Sequence, residues 1–238
     1  MAPPSTTPLK AILFDLGGVI LHIDYDLTAA AFEKHFGIVG FASRLFSQGS
    51  QTQFVDAFER GQISAQQFVS ELRSCAAFDS DERARLSSAS ASATEAIEAC
   101  WNAMLLDMPN ERVAYLRTLK ERGLRLYLLS NINATHEAEV DRIIERDVKG
   151  GVKAFRDCFD YIYYSHHIGR RKPDPDTFEW VLSDIANRDG LAKDEVVFFD
   201  DSIQHITGAK SVGLRSYLVP KEHNLVDVVD PVLNSEHQ

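Results

Sequence analysis

The chain predicts an α/β protein, a doubly wound parallel sheet interrupted after its first strand by an α-helical insert. Three observations carry this. Five short apolar runs recur with little alternation of polar residues, the pattern of strands buried on both faces of a parallel sheet. Amphipathic helical patterns lie between the runs, which is the strand–helix–strand rhythm. From about Tyr25 to Pro109 the chain holds helical patterns and no strand.

The first strand is Leu9 to Asp15, in the stretch "ILFDLGGVI". Ahead of it, residues 1–8 read as a disordered Pro/Ser/Thr tail with no apolar stretch of a secretory signal. The insert follows. Its segment "FVDAFERGQISAQQFVSELRSC" predicts two helices joined at Gly61, with Ser64 as the second N-cap. "SSASASA", Ser87 to Ala93, is locally simple and reads as a polar helix face or loop without function. Phe46, Phe54, Phe58 and Trp101 are expected in the insert's apolar core, because large aromatic rings on helices bury their area.

Past the insert, "ERVAYLRTLKERG" places Val113, Leu116 and Leu119 at helical spacing and ends on Gly123. Leu124 to Ser130 is the second strand and Phe159 to Ser165 the third. "DPDTFEWVLSDIAN" is a helix with Phe178, Val181, Leu182 and Ile185 on one face. Glu195 to Asp200 is the fourth strand, Ser202 to Gly213 a short helix, and Leu214 to Val219 the fifth strand. The expected division is a core of residues 9–24 and 109–238 and an insert of residues 25–108. No internal repeat is visible.

With 238 residues and 45% of them apolar, the chain suffices for one large domain or a core plus an insert. A formal charge of −10 argues against a nucleic-acid partner, which calls for a basic face. No apolar run approaches the length of a membrane span. Cys75, Cys100 and Cys158 are odd in number, widely spaced and without metal-like spacing, and read as free thiols in a reducing compartment. A cytoplasmic protein with no membrane and no nucleic acid is the expectation.

The strands end on polar residues: Asp15, Ser130, Ser165, and the pair Asp200 and Asp201. In an open α/β sheet the ligand site lies beyond the carboxyl ends of the strands. Asp15 is followed by Leu16, Gly17 and Gly18, and glycine lets a ligand approach the backbone closely. A carboxylate held there can act as a nucleophile, or can merely cap a turn. In "FFDDS", two adjacent acids are tolerable if one binds a cation and the other an internal lysine. Oxygen ligands suit Mg²⁺. Asp201 or Ser202 can equally cap the next helix. In "GRRKPDPDTF", Pro173 and Pro175 stiffen the segment, so that Lys172 can be held inward toward the acids or a phosphate. In "LLSN", Ser130 and the following N–H of Asn131 make a small anion cradle or a plain turn.

These four motifs, in this order, resemble the haloacid dehalogenase superfamily, and the match runs from Leu9 to Val219. The resemblance implies a Rossmann-like core with strand order 5-4-1-2-3 and an insert equivalent to the family's C1-type helical cap, which chooses the substrate. It implies a Mg²⁺-dependent phosphatase acting on a small-molecule phosphate ester, working as a monomer or homodimer. Asp15 would be the nucleophile that forms an aspartyl-phosphate. Mg²⁺ would be held by Asp15, the Gly17 carbonyl and Asp201. Ser130, the Asn131 N–H and Lys172 would bind the transferring oxygens, and Asp200 would fix Lys172.

The sequence departs from the family pattern in two places. Phosphatases of the superfamily usually carry an aspartate two residues after the nucleophile as general acid and base, and here that position is Gly17. Such help is typically worth about 10²–10⁴ in rate. His22, Asp24 and Asp26 follow on the same flap as candidate substitutes. Alternatively the enzyme serves good leaving groups. Members with a D-x-G first motif include bacterial glucose-1-phosphate phosphatases, which favours a sugar phosphate. The second departure is His205, four residues after Asp201, where the wider family often places an acid. It is expected to bond nearby backbone or sit at the rim, since a hard Mg²⁺ site prefers oxygen. Two other readings stand: a metal-independent 2-haloacid dehalogenase, which the "DD" pair disfavours, and a catalytically silent phosphometabolite-binding protein.

Overall fold

A computed structural model describes residues 7–47, 50–87, 91–221 and 224–234. The first six residues of the expected tail and residues 88–90 of the simple segment lie outside the described residues. Five parallel strands form the sheet: β1 (Ala11–Phe14), β2 (Arg125–Ser130), β3 (Tyr161–Tyr164), β4 (Val196–Asp200) and β5 (Arg215–Leu218). Their order is β3-β2-β1-β4-β5, the expected arrangement. The register sets Phe14 opposite both Leu128 and Phe199, so β1 is central, and its neighbours run on to Ser130 and Asp200. Each strand is shorter than the sequence suggests at one or both ends. Asp15 stands just beyond β1, and Ser165 opens a short helix instead of closing β3.

The alternation along β1 divides the core. Ile12 and Phe14 face one layer with Leu128, Val197 and Phe199. Ala11 and Leu13 face the other with Leu129 and Phe198. The helices that cover the sheet arise from the amphipathic stretches between strands: α7 (Asn110–Glu121), α8 (Ala134–Asp147), α9 (Gly151–Arg156), α10 (Ser165–Ile168), α11 (Pro175–Asp189), α12 (Ile203–Ser211) and α13 (Leu225–Asn234). Phe178, Val181, Leu182 and Ile185 of α11 are all buried, as their spacing requires.

Between β1 and α7 the described residues form six helices and a short antiparallel pair, Phe46–Ser47 with Ser50–Gln51. The helices are α1 (Tyr25–Phe36), α2 (Phe41–Leu45), α3 (Gln53–Glu59), α4 (Ala65–Ser74), α5 (Ser80–Leu86) and α6 (Ala91–Asn102). Gly61 turns with φ +66°, and Ser64 caps α4 through a reciprocal bond pair with Gln67, as predicted. These helices share their own apolar cluster, in which Phe32, Phe41, Phe58, Phe68 and Trp101 are buried. Phe54 is partly buried against it; the side chain of Phe46 is outside the described residues. The two chain crossings into and out of this region run side by side. His22 N donates to the Asp107 carbonyl, and Leu106 N and Asp24 N donate to the His22 and Met104 carbonyls, at 2.8–3.0 Å. All three cysteines are free, with Cys100 and Cys158 buried. No helix among the described residues is long and apolar enough to cross a membrane.

Candidate active site

The centre of the site is a buried chain of charge at the ends of β1 and β4. Lys172 is 0% exposed. Its Nζ lies 2.8 Å from Asp15 Oδ1 and 2.6 Å from Asp200 Oδ2. Parallel pairing delivers both acids to one edge, and the loop before α11 brings in the lysine. The other fixed contact of Asp15 is the backbone N–H of Leu16, also on Oδ1 at 2.7 Å. Among the described residues no hydrogen bond reaches Asp15 Oδ2.

Lys172 is held from behind by Asn131. Lys172 N donates to Asn131 Oδ1 at 2.9 Å, and Asn131 Nδ2 donates to the Lys172 carbonyl at 2.8 Å. The sequence points to the Asn131 N–H; the structure adds this side-chain clamp between two strand-end loops. Ser130 closes β2 as a buried hydroxyl. Ser165, noted only as a strand end, accepts from Ile132 N and donates to the Ile132 carbonyl, each at 2.9 Å.

Asp200 is fully committed. It accepts from Lys172, from Ser202 N at 2.8 Å, and from His205, whose Nδ1 lies 2.9 and 3.0 Å from its two oxygens. A carboxylate only accepts, so His205 Nδ1 carries the proton. This corrects the expectation of a backbone partner for His205. Ser202 occupies the N-cap position of α12 without a side-chain bond.

The electrostatics follow from burial and count. Burial pushes Asp200 up, but Lys172 and His205 outweigh it and hold the group well below the usual carboxylate range. Burial opposes the charge on Lys172, and Asp15 and Asp200 restore it, leaving the ammonium above its ordinary value. Asp15 is pushed up to about 7, first by burial and then by Asp200, with Lys172 only partly compensating. Burial and Asp200 push Asp201 up to about 6. Three carboxylates thus meet one ammonium in a desolvated space. Two negative charges remain to be balanced, and the donors are oxygens, the chemistry of a hard divalent cation. Asp201 lies directly over Gly18: a Cβ on Gly18 would fall 2.0 Å from Asp201 Oδ2, and Gly18 has φ +76°. The residues therefore fit Mg²⁺. Asp15, Asp200 and His205 also cluster their donor atoms within 4.8 Å, but the last two are spent on each other.

The three candidate proton donors are not gathered at Asp15. His22 pairs with Asp107, Nδ1 to Oδ1 3.1 Å. Asp24 caps α1 by accepting from Asp26 N at 3.0 Å, and Asp26 is exposed. His22 and Asp24 do line a cavity of about 200 Å³ beside Gly18, together with Arg112 and Lys221.

Two residues of the site region carry no signal in the sequence. Tyr25 opens α1 with 62% of its surface exposed. Burial of its hydroxyl end, and then Asp201, Asp15 and Glu59, push its phenol well above the ordinary range. His136 on α8 is buried and reaches across to the helical region: its Nε2 lies 3.2 Å from the Trp101 carbonyl, and its ring stacks on Trp101 at 5.3 Å. Thr28 Oγ1 donates to that same carbonyl at 3.1 Å. Trp101 is core, as expected, and also the point where the helical region is tied to the sheet. The tie is extended by Arg60, which pairs with Asp174 at 2.6 Å, and by Arg171, which pairs with Glu59 at 2.8 Å.

A central-strand carboxylate, a clamped buried lysine and a second strand-end acid pair define a hydrolase that works from the carboxyl edge of a parallel sheet. The chain belongs to the haloacid dehalogenase-like hydrolase family, whose model matches residues 9–213. It is 25% identical over 209 residues to D-ribitol-5-phosphate phosphatase of Bacteroides thetaiotaomicron, covering 88% of this chain and 91% of that protein. It is 27% identical over 220 residues to drimenol cyclase of Aspergillus calidoustus; this match takes 90% of the chain but spans only 34% of that longer protein. Among solved structures, it resembles a HAD-family enzyme of Bacteroides thetaiotaomicron, an aspartate-to-alanine mutant crystallised with magnesium and inorganic phosphate. The TM-score is 0.73 at 25% identity, over 91% of this chain and 96% of that one.

Proposed function

We propose that the chain is a Mg²⁺-dependent phosphatase that hydrolyses a small phosphorylated metabolite, a sugar or polyol phosphate, through an aspartyl-phosphate on Asp15. The observation that carries this is Lys172 Nζ fixed between Asp15 and Asp200 while Asp201 faces Gly18. The ribitol-phosphate phosphatase relative and the magnesium–phosphate complex of a similar structure support the same reading.

Asp15, the Gly17 carbonyl and Asp201 would hold Mg²⁺, which neutralises phosphate charge and the nucleophile together. The residues do the rest. Asp15 Oδ2, free of described partners, attacks phosphorus, and the bond from phosphorus to the leaving oxygen breaks. Lys172, the Ser130 hydroxyl and the Asn131 N–H bind the transferring oxygens. Asp200 and Asn131 keep Lys172 from moving as charge shifts. With no carboxyl group at Gly17, the leaving oxygen takes its proton from water or from a substitute donor, and His22 and Asp24 stand at the adjacent cavity. Water then cleaves the aspartyl-phosphate. The six helices between β1 and α7 act as the cap that selects the substrate.

A panel of phosphate esters assayed with and without Mg²⁺ tests this. The expected result is Mg²⁺-dependent phosphate release that disappears in Asp15→Asn. Metal-independent halide release from 2-haloacids would overturn it, and tight phosphosugar binding without turnover would favour a silent binding protein.

A further inference from the structure

We propose a second cation site, selective for Zn²⁺ over Mg²⁺, formed by Glu137, His166 and His167 between α8 and α10. Glu137 lies in the first turn of α8, and the two histidines are consecutive in α10. His166 Nε2 and His167 Nε2 lie 2.9 and 3.1 Å from the same oxygen, Glu137 Oε2. The donor atoms of the three residues fall within 4.8 Å of one another.

The hydrogen bonding of His166 makes the cluster more than a surface ion pair. Its Nδ1 lies 2.9 Å from the Ile132 carbonyl. A carbonyl oxygen only accepts, so Nδ1 carries the proton, and the neutral ring presents a lone pair at Nε2. That lone pair faces a carboxylate oxygen, another acceptor, at hydrogen-bond distance. Two acceptors at 2.9 Å need a positive group between them, which is either the Nε2 proton of an imidazolium paired with Glu137 or a metal ion in that proton's place. A ring whose Nδ1–H is fixed on a backbone carbonyl, with Nε2 free, is the arrangement that orients histidine toward a metal. The His166 side chain is only 8% exposed, so its direction is set by packing.

The chemistry of the set names the ion. Two imidazoles and one carboxylate form the nitrogen–oxygen donor set of Zn²⁺, whereas Mg²⁺ takes oxygen and keeps its water. Bonds of about 2.0–2.1 Å in a tetrahedron put ligand atoms about 3.3 Å apart; the two nitrogen–oxygen spacings of 2.9 and 3.1 Å need only a few tenths of an ångström of opening, and the two nitrogens lie within 4.8 Å of each other. His167 is 55% exposed, which leaves the fourth position to water. The site would join α8 to α10. The helical region also packs closely on the His166 carbonyl, since a Cβ on Gly61 would fall 2.2 Å from it. The ion would therefore stiffen the ground on which that region rests.

The test is competition for Zn²⁺ against a chromogenic chelator in excess Mg²⁺, with Co²⁺ absorption as a second readout. Wild type should take up one Zn²⁺ under these conditions, and an Asp15→Asn/Asp201→Asn variant should keep it. His167→Ala, a change at an exposed side chain, should weaken binding about tenfold or more, and Glu137→Gln likewise, with unchanged circular dichroism. Absence of Zn²⁺ uptake in excess Mg²⁺, uptake lost only in the double aspartate variant, or uptake unchanged in both His167→Ala and Glu137→Gln would each overturn the proposal. The site stands apart from the phosphatase reading, because a protein with no turnover would still bind Zn²⁺.

Discussion

The sheet edge and the helical region bury their contents in opposite ways. At the edge, Asp15, Lys172 and Asp200 are charged groups sealed in protein, each held by others at 2.6–2.8 Å. In the helical region the buried groups are rings: Phe32 on Phe41, Phe58 on Phe68, and Phe68 against Trp101. Buried charge is stabilised by direction and partner, and one misplaced atom leaves it unpaired. Buried rings are stabilised by area, and hydrophobic swaps of similar volume are tolerated there. So the edge is suited to fixed geometry, and the helical core to changes of side chain that keep its volume.

The contrast is broken most severely at Lys172. Lys172→Met leaves two buried carboxylates without their cation. It should cost about 3–5 kcal/mol in urea unfolding and about 10²–10³ in kcat on the best phosphate ester. A variant with wild-type turnover would remove the lysine from the mechanism.

His136 joins the two regions and tests whether they unfold together. Burial holds it down at about 4 against an ordinary value of 6.5. It is neutral when folded, while the unfolded chain gains a proton below 6.5. Its contribution is therefore complete above pH 6.5 and lost as pH falls toward 4, at about 1.4 kcal/mol per pH unit and about 3 kcal/mol in all. His136→Asn should flatten that part of the stability–pH curve. Parallel curves for the two proteins would show that His136 does not titrate in this window.

Gly17→Asp sharpens the comparison by adding chemistry to the edge alone. A Cβ at Gly17 meets the far end of the Ile23 side chain at 3.1 Å, which can yield. Hydrolysis of esters with poor leaving groups should rise about tenfold or more, with good leaving groups little changed. No gain would mean that a donor is already in place or that the new side chain is turned away.

The smallest effect belongs to the helical side. Arg60 pairs with Asp56 at 2.8 Å and with Asp174 at 2.6 Å across to the Lys172 loop, partly in solvent. Arg60→Met should change stability by less than about 1 kcal/mol and raise KM no more than about fivefold, with kcat unchanged. A fall in kcat would show that the two regions are not separable.

The sheet was legible because five apolar runs recur and four of them end in polar residues, ends that located Asp15, Ser130, Asp200 and Asp201. Ser64 and Gly61 were legible because caps and turns are local. What was hidden depends on partners far along the chain. Asn131 reads as a turn residue until Lys172 arrives 41 positions later. His205 reads as a rim residue because its bond to Asp200 needs the first turn of α12 to fold back over β4. His136 carried no signal at all, since a histidine on an amphipathic helix reveals neither its burial nor the carbonyl it meets. His22 and Asp24 read as free candidates for acid–base work until the fold pairs His22 with Asp107, 85 positions away, and Asp24 with the first turn of α1.

Gly61 has φ +66°, and a Cβ there would fall 2.2 Å from the His166 carbonyl oxygen, so the helical region meets α10 there on bare backbone. That makes position 61 a footing with no room for a shim. A methyl group at this one point would force α3 and α4 away from α10.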